Sequence, residues 1–335
     1  MMSKEPKCNI CQRECIADIK AKSRYPEIMC VKHVANPILP FYRNAFGSVW
    51  RGEGNDYLYW CDFRNVYRSW RQKDIFSTWH QPLLCGCDNE WDSHIDCTMV
   101  FRLAQEQQAP ESVSENMWCM LYRGGDKSGN YAVGLATSLD GCRWTKHRSN
   151  PVLYPTKGEW DGIEGRPCRI FDPWGIIKIG NVYHLWFNSE TPEHCRCIGL
   201  ATSEDLVNWK KDIHNPIFMN GRFCAFPFRY KEWYWLIVPA GGLKRDGTVR
   251  FELYRDRKPT FYPEDRVFIN NILYCSGGID SFDNRYIDTP CVLTKDTYRI
   301  LDDDLYAEIF YTGEGPTSTF WRHGIAHLNL GSLPI

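Results

Sequence analysis

The sequence predicts an all-β protein assembled from repeated sheets, and three observations predict it. A phrase is stated twice: YAVGLATSLDGCRW over residues 131–144 returns as IGLATSEDLVNW over residues 198–209, with Asn150-Pro151 and Asn215-Pro216 following at matching places. A second frame, an aromatic residue and an Asp ahead of an apolar run, recurs at Trp91-Asp92, Trp160-Asp161 and Phe282-Asp283. Aromatic residues make up 15% of the chain, with 14 Trp, a share that suits sheets packed face to face, and helix-period stretches are scarce. Units of this size with recurrent strand and turn signals mark a repeat architecture, in which each unit buries its apolar face against the next.

Each part of the unit has a physical reason. Residues 131–137 alternate as a short strand, and Gly134 lets a neighbouring backbone come close. The Ser-Leu-Asp-Gly that ends at Gly141 supplies a tight turn, since Asp and Gly tolerate the local geometry. Trp144 and Trp209 are large apolar plugs between adjacent sheets. Asn-Pro ends the outer strand, because Pro has no N–H to give a ladder.

In chain order, residues 1–35 stand apart. Cys8, Cys11, Cys30 and His33 form C-x2-C…C-x2-H, the two short-spaced pairs that tetrahedral zinc takes, and they predict a structural zinc knuckle. Cys15 is an alternative ligand, and a tail with chance cysteines is the competing reading. So small a segment has no core of its own, so the metal would supply most of its folding energy. Lys20, Lys22, Arg24 and Lys32 make it mildly basic, which fits a protein partner, a nucleic acid or a plain solvated face. Blade one is expected at 36–87, with strands near 47–51 and 56–63. Blade two follows at 88–155, with a polar insertion at 104–116, and blade three at 156–219. Blade four, 220–275, keeps its strands but lacks the GLATS phrase, and blade five, 276–335, has late strands at 304–312 and 324–330. MWCMLY, VYHLWF and WYWLIV supply second strands in blades two, three and four. The predicted fold is a five-bladed β-propeller carrying a small N-terminal zinc-knuckle-like segment.

Lys plus Arg number 40 against 41 Asp plus Glu, a net charge of −1, so no global field draws the chain to nucleic acid or to a membrane. No run of 18 apolar residues occurs, and the opening MMSKEPKCNICQREC lacks the apolar core of a signal peptide. A cytoplasmic location is the expectation. The 16 cysteines are then thiols or metal ligands rather than a disulfide framework. Cys61, Cys97, Cys119, Cys168, Cys224 and Cys291 sit inside apolar strands, where a small buried thiol is the simple reading.

In a propeller the innermost strands line a central channel, so polar residues just ahead of them are the candidates for chemistry. These are Asp92, His94 and Asp96 in blade two, and Asp161, Glu164 and Arg166 in blade three. Blade four offers Arg222, and blade five offers Asp280, Asp283, Arg285 and Asp288. Asp92, Asp161 and Asp283 recur in phase with the fold motif and read first as turn caps. Asp92 and His94 nevertheless stand where a substrate would touch them. Arg166, Arg222 and Arg285 would together suit a phosphate, a sulfate or a sugar acid, or each pairs with a neighbouring Asp. Trp50, Trp79 and Trp174 would stack on sugar faces if exposed and plug the core otherwise; His80 and His184 read as core residues.

The phrases GLATSLDGCRW, GEWDGIEGRPCRIF, VYHLWF and GLATSEDLVNW resemble the five-bladed β-propeller superfamily of glycoside hydrolases and mannoside phosphorylases, which includes arabinanases, xylosidases and levan-cleaving enzymes. The likeness runs over about residues 36–335 and is sharpest in 88–218. It implies an enzyme that cleaves a glycosidic bond of a small glycoside or oligosaccharide, by water or by phosphate, with no catalytic cofactor. Ile163-Glu164-Gly165-Arg166-Pro167 resembles the phrase carrying the general acid, with an Arg set before the Pro, and Ile95-Asp96 resembles the Asp phrase that tunes that acid. Inversion at a glycosidic carbon takes a protonated carboxylic acid for the leaving oxygen and an ionised one to activate water. Like charges in a confined channel raise one pKa and keep that donor protonated. Glu164 is thus the expected acid, Asp96 its tuner and Asp288 the base. The family's base comes from blade one, where Arg43 to Ser48 offers no carboxylate. Either Asp288 replaces it, water is activated otherwise, or hydrolysis is lost. The alternative is a non-catalytic propeller that binds a glycan, a nucleotide sugar or a protein, with the zinc segment as adaptor. A nucleic-acid role would rest on the C-x2-C…C-x2-H spacing alone.

Overall fold

A computed structural model describes residues 30–32, 36–38, 45–52, 54–62, 64–72, 75–103, 117–162, 170–190, 196–219, 224–241, 250–275, 281–284, 286–294, 298–301, 305–315 and 322–335. They form five sheets. The first strand, β1 (Cys30–Lys32), precedes blade I, which holds β2 (Ala45–Arg51), β3 (Asp56–Cys61), β4 (Asn65–Gln72) and β5 (Ile75–Cys85). Blade II holds β6 (His94–Arg102), β7 (Trp118–Gly125), β8 (Tyr131–Ser138) and β9 (Thr145–Lys146). Blade III holds β10 (Ile170–Ile179), β11 (Val182–Glu190), β12 (Arg196–Ser203) and β13 (Lys210–Lys211). Blade IV holds β14 (Phe226–Tyr230), β15 (Trp233–Ala240), β16 (Arg250–Asp256) and β17 (Val267–Tyr274). Blade V opens with β18 (Tyr286–Val292); β19 (Ile300–Leu301) then adds in parallel to β14, and β20 (Tyr306–Glu314) and β21 (Arg322–Asn329) return to blade V.

The inner strands β2, β6, β10, β14 and β18 touch one another in turn and close a ring. Such a strand is covered on both faces. That is why β6 reads HIDCTMVFR, with every residue between its ends buried, rather than alternating. Trp174 is fully buried and donates its indole N–H to Pro290 O at 2.8 Å, and Trp50 packs edge-on against Trp118. Neither presents a face to a sugar, so for these two the plug reading holds; the side chain of Trp79 lies outside the described residues. Arg299, also fully buried, donates to Ile176 O at 3.1 Å and Thr294 Oγ1 at 2.7 Å and lies over the Phe226 ring, tying blades III, IV and V together. Among the described residues no helix is long and apolar enough to cross a membrane.

One boundary read from the sequence is corrected. The outer strand of blade V is β1, which pairs with β21 through Cys30 and Leu328, Val31 and His327, Lys32 and Ala326. Residues 30–32 are therefore part of the propeller rather than of a separate N-terminal unit. The physical reason is a clasp repeated in three blades. Lys146 reaches Asp92 at 2.7 Å in blade II, Lys211 reaches Asp161 at 2.6 Å in blade III, and Lys32 reaches Asp283 at 2.6 Å in blade V. All three carboxylates are buried. Tyr122 OH and Tyr311 OH also donate to the carboxylates of blades II and V. Gly124 is Gly because a Cβ there would stand 2.2 Å from the Trp91 ring and 2.7 Å from Asp92 Cβ.

The Asn of each Asn-Pro completes the clasp. Asn150 bonds both backbone groups of Leu135, Asn215 those of Leu200, and Asn36 those of Ile325. Its amide thus continues the ladder where the following Pro cannot donate.

Candidate active site

In blades II, III and V the inner strand carries an Asp close to its start: Asp96, Asp172 and Asp288. Asp96 faces Arg123 across the ladder and Asp288 faces Thr312, so the two occupy equivalent places. Directly after each, the register slips, and Cys97 and Thr289 take left-handed backbone with φ of 48° and 53°. A bulge of this kind re-aims a side chain. Here each carboxylate also accepts from the next residue's N–H, Cys97 N at 2.8 Å and Thr289 N at 2.6 Å, which holds the unusual backbone in place. In blade III the ladder slips on both sides of Pro173, beside Asp172.

Buried polar groups join the blades at this point. Arg123 donates to Asp96 Oδ2 and, at 3.1 Å, to Asp172 Oδ1, linking blades II and III. Asn188 donates to Asp172 Oδ2 at 2.8 Å and accepts from Cys224 N at 2.7 Å, linking blades III and IV. The three carboxyls are 2%, 5% and 2% exposed, so water screens them little. Burial pushes the Asp96 carboxyl up, against the lowering pull of Arg123, and Asp172 adds to the rise. Burial also holds Asp288 well above the usual carboxylate range, opposed by the Thr289 N–H and by Arg196, and reinforced by Asp172. The Cys97 and Cys224 thiols are pushed up by the same burial and by the same carboxylates. Tyr286 is raised too, by burial and then by Asp288. The cluster therefore joins Asp96 and Asp288, whose carboxyls burial pushes up, to Asp172, which accepts from Arg123 and Asn188.

The structure brings Asp96 and Asp288 into this cluster. His94 stands at the exposed start of β6, its ring Nδ1 near Ser93 Oγ and Gly125 O. Asp92 is a correction: it is 1% exposed and clasped by Lys146 and Tyr122, so it holds the blade together and is closed to a substrate. Glu164, Arg166, Arg222 and Arg285 lie outside the described residues, as do Cys8, Cys11 and His33. Cys30, the remaining member of the expected zinc set, lies in β1, and burial pushes its thiol up to about 12.

Asp172, Arg123 and Arg196 join the site although the sequence does not single them out. Asp172 had a signal: IDCT, FDPW and IDTP each place an apolar residue, Asp and a strand opening in the same order. Arg123 had none, since it lies near the end of a second strand with nothing in its local sequence to mark it, and one of the two carboxylates it bridges comes from the next blade. In blade I the place is taken by β2, where Ala45 faces Cys61 and no residue is acidic.

No family model matches the chain. Among curated proteins, a bifunctional fructosyltransferase of Allium cepa is 24% identical over 131 residues, which is 38% of this chain; the match spans 20% of that protein's length. Solved structures align over nearly the whole chain. The catalytic domain of a Coprinopsis cinerea GH62 α-L-arabinofuranosidase has a TM-score of 0.63 at 13% identity, over 91% of this chain and 97% of that one. A family 117 glycoside hydrolase of Zobellia galactanivorans gives 0.62 at 11% identity, over 90% and 91%. A thermostable family-43 glycoside hydrolase gives 0.60 at 14% identity, over 87% and 91%. At these identities the likeness establishes the fold.

Proposed function

We propose that this chain, a five-bladed propeller whose structural neighbours are glycoside hydrolases, is itself an enzyme that cleaves a glycosidic bond of a small glycoside. The observation that carries the reading is the meeting of Asp96, Asp172 and Asp288 from three blades in one buried cluster, with Arg123 bridging the first two. A ring that needed these groups only for stability would do better with apolar ones, since buried charges cost more than they return unless paired well. Glu164, six residues ahead of β10 in the sequence, is the proton donor to the leaving oxygen in this reading, and Asp96 tunes it. Asp172 accepts from Arg123 and Asn188 and is the group that takes a proton from the attacking water. Asp288, expected from sequence as the base, is pushed toward its protonated form by burial and fits a proton-holding role better. Arg166, Arg222 and Arg285 make an anionic sugar, or phosphate as the attacking species, the variant to include. The free thiols buried in β3, β6, β7 and β18 agree with a reducing cytoplasm.

The test is turnover of a panel of aryl glycosides, neutral and anionic, with and without inorganic phosphate. Glu164→Gln and Asp172→Asn should fold and lose about 10²–10⁴-fold in kcat. Undiminished turnover in both variants removes the assignment. The absence of an acid from β2 favours a second reading, a propeller that binds a glycan without cutting it. That reading is upheld if no glycoside turns over while a sugar binds saturably and Asp172→Asn abolishes the binding.

A further inference from the structure

The loop that leads into β6 carries a second cluster, apart from Asp96, Asp172 and Asp288. Cys87, Glu90 and Asp92 place a thiol and two carboxylates so that their ligand atoms all lie within 4.8 Å of one another. Two successive turns gather them: Glu90 N donates to Cys87 O at 3.2 Å and Ser93 N to Glu90 O at 3.3 Å, and Asn89 takes left-handed backbone at φ 68°. Lys146 Nζ lies 2.7 Å from Asp92 Oδ2 and 3.1 Å from Cys87 Sγ. Asp92 is 1% exposed, yet its other oxygen, Oδ1, is buried without a hydrogen-bond partner among the described residues. A buried carboxylate oxygen left so costs free energy unless something cationic meets it.

Blade III holds an internal control. There the same loop reads Thr156, Glu159, Asp161, with Gly158 at φ 81° in the place of Asn89, and Lys211 Nζ bonds Thr156 Oγ1 at 2.9 Å. A hydroxyl therefore serves the lysine as well as a thiol does, and the loop folds without a cysteine. What Cys87 adds is one soft ligand.

We propose that Cys87, Glu90 and Asp92 form a divalent-cation site of the zinc class on the rim of blade II. A thiolate with two carboxylates suits a borderline-soft ion that accepts three protein ligands and a water. The charges close: one thiolate and two carboxylates against the Lys146 ammonium leave two negative charges for a dication. Binding exchanges the Cys87 S–H proton for the metal, that proton leaves to solvent, and Lys146 stays on Asp92 Oδ2. The ion would hold together the two turns of the loop that ends four residues ahead of Asp96.

The probe is zinc alone, on the full chain freed of metal with a chelator, read by metal analysis, by competition with a chromophoric chelator and by thiolate-to-cobalt absorption after cobalt substitution. Cys87→Thr installs blade III's own residue, so it should fold with an unchanged metal-free Tm and bind one equivalent less than the natural chain. Glu90→Gln should weaken the same equivalent, and Cys8→Ser should leave it in place, which separates this site from the N-terminal set. Equal zinc content in the natural chain and Cys87→Thr, or no zinc bound by the natural chain, overturns the proposal. Neither result bears on glycoside turnover.

Discussion

Asp288 shows what one residue's surroundings do to its chemistry. It is buried behind Thr289 and beside Cys224, and its carboxyl is held well above the ordinary aspartate value. A carboxyl whose pKa is higher in the folded chain binds its proton more tightly when folded. Its contribution to stability is complete below the unfolded value of about 3.9 and is lost as pH rises through the folded one. Asp288→Asn removes that loss while keeping an oxygen for the Thr289 N–H. The variant should therefore gain in Tm relative to the natural chain as pH is raised from 5 to 9, by an amount that grows with pH. Thermal melts in matched buffers measure it, and parallel Tm curves would show that Asp288 ionises freely. The sequence made this residue legible as a candidate, because Asp before a strand opening is visible in YIDTP. It hid the environment, because Cys224 and Arg196 come from other blades.

Among the elements, the clasp was half legible. The Trp-Asp and Asn-Pro frames are plain in the sequence, and reading Asp92, Asp161 and Asp283 as structural groups agrees with their burial. Their lysines were not legible. Lys146, Lys211 and Lys32 sit in two- and three-residue strands with no periodicity to announce them. Removing one partner of a buried ion pair costs more than the pair contributes, because it leaves the other charge without its counterion. Lys32 is 24% exposed against 0% for Asp283, so the usual penalty is reduced by solvent. Lys32→Met should lower unfolding free energy by about 2–4 kcal/mol in urea titrations. Lys146→Met and Lys211→Met should fall in the same range, since the three pairs share one geometry. A cost below about 1 kcal/mol for all three would place them with surface ion pairs.

For the molecule as a whole, the decisive contact joins its beginning to its end. Blade I meets blade V through Arg71, which bridges Asp56 and Glu308 at 2.6 Å each, and through Arg51 N donating to Thr294 O at 2.9 Å. The chain segment ahead of blade I then supplies the outer strand of blade V, so the ring is locked by residues nearly 300 positions apart, as Asn36 and Ile325 show. Ligand spacing, a local signal, groups Cys30 with Cys8 and Cys11, whereas its pairing with β21 is visible only once the ring is closed. The two views predict different outcomes for a truncated chain. If residues 1–35 formed an independent unit, their removal would leave the propeller's melting transition where it was. With β1 as a blade strand, a chain beginning at residue 38 loses Lys32 and Asn36 and bares the edge of β21, an invitation to aggregate. Its transition should fall by about 10 °C or more, with far- and near-ultraviolet signals lost together. A circular permutant that begins at residue 38 and carries residues 30–37 after Ile335 on a short Gly/Ser linker restores the strand in the order the other blades use. Recovery of the transition in the permutant, after its loss in the truncation, identifies the strand itself as the lock. An unshifted transition in the truncated chain would return residues 30–35 to a separate N-terminal segment.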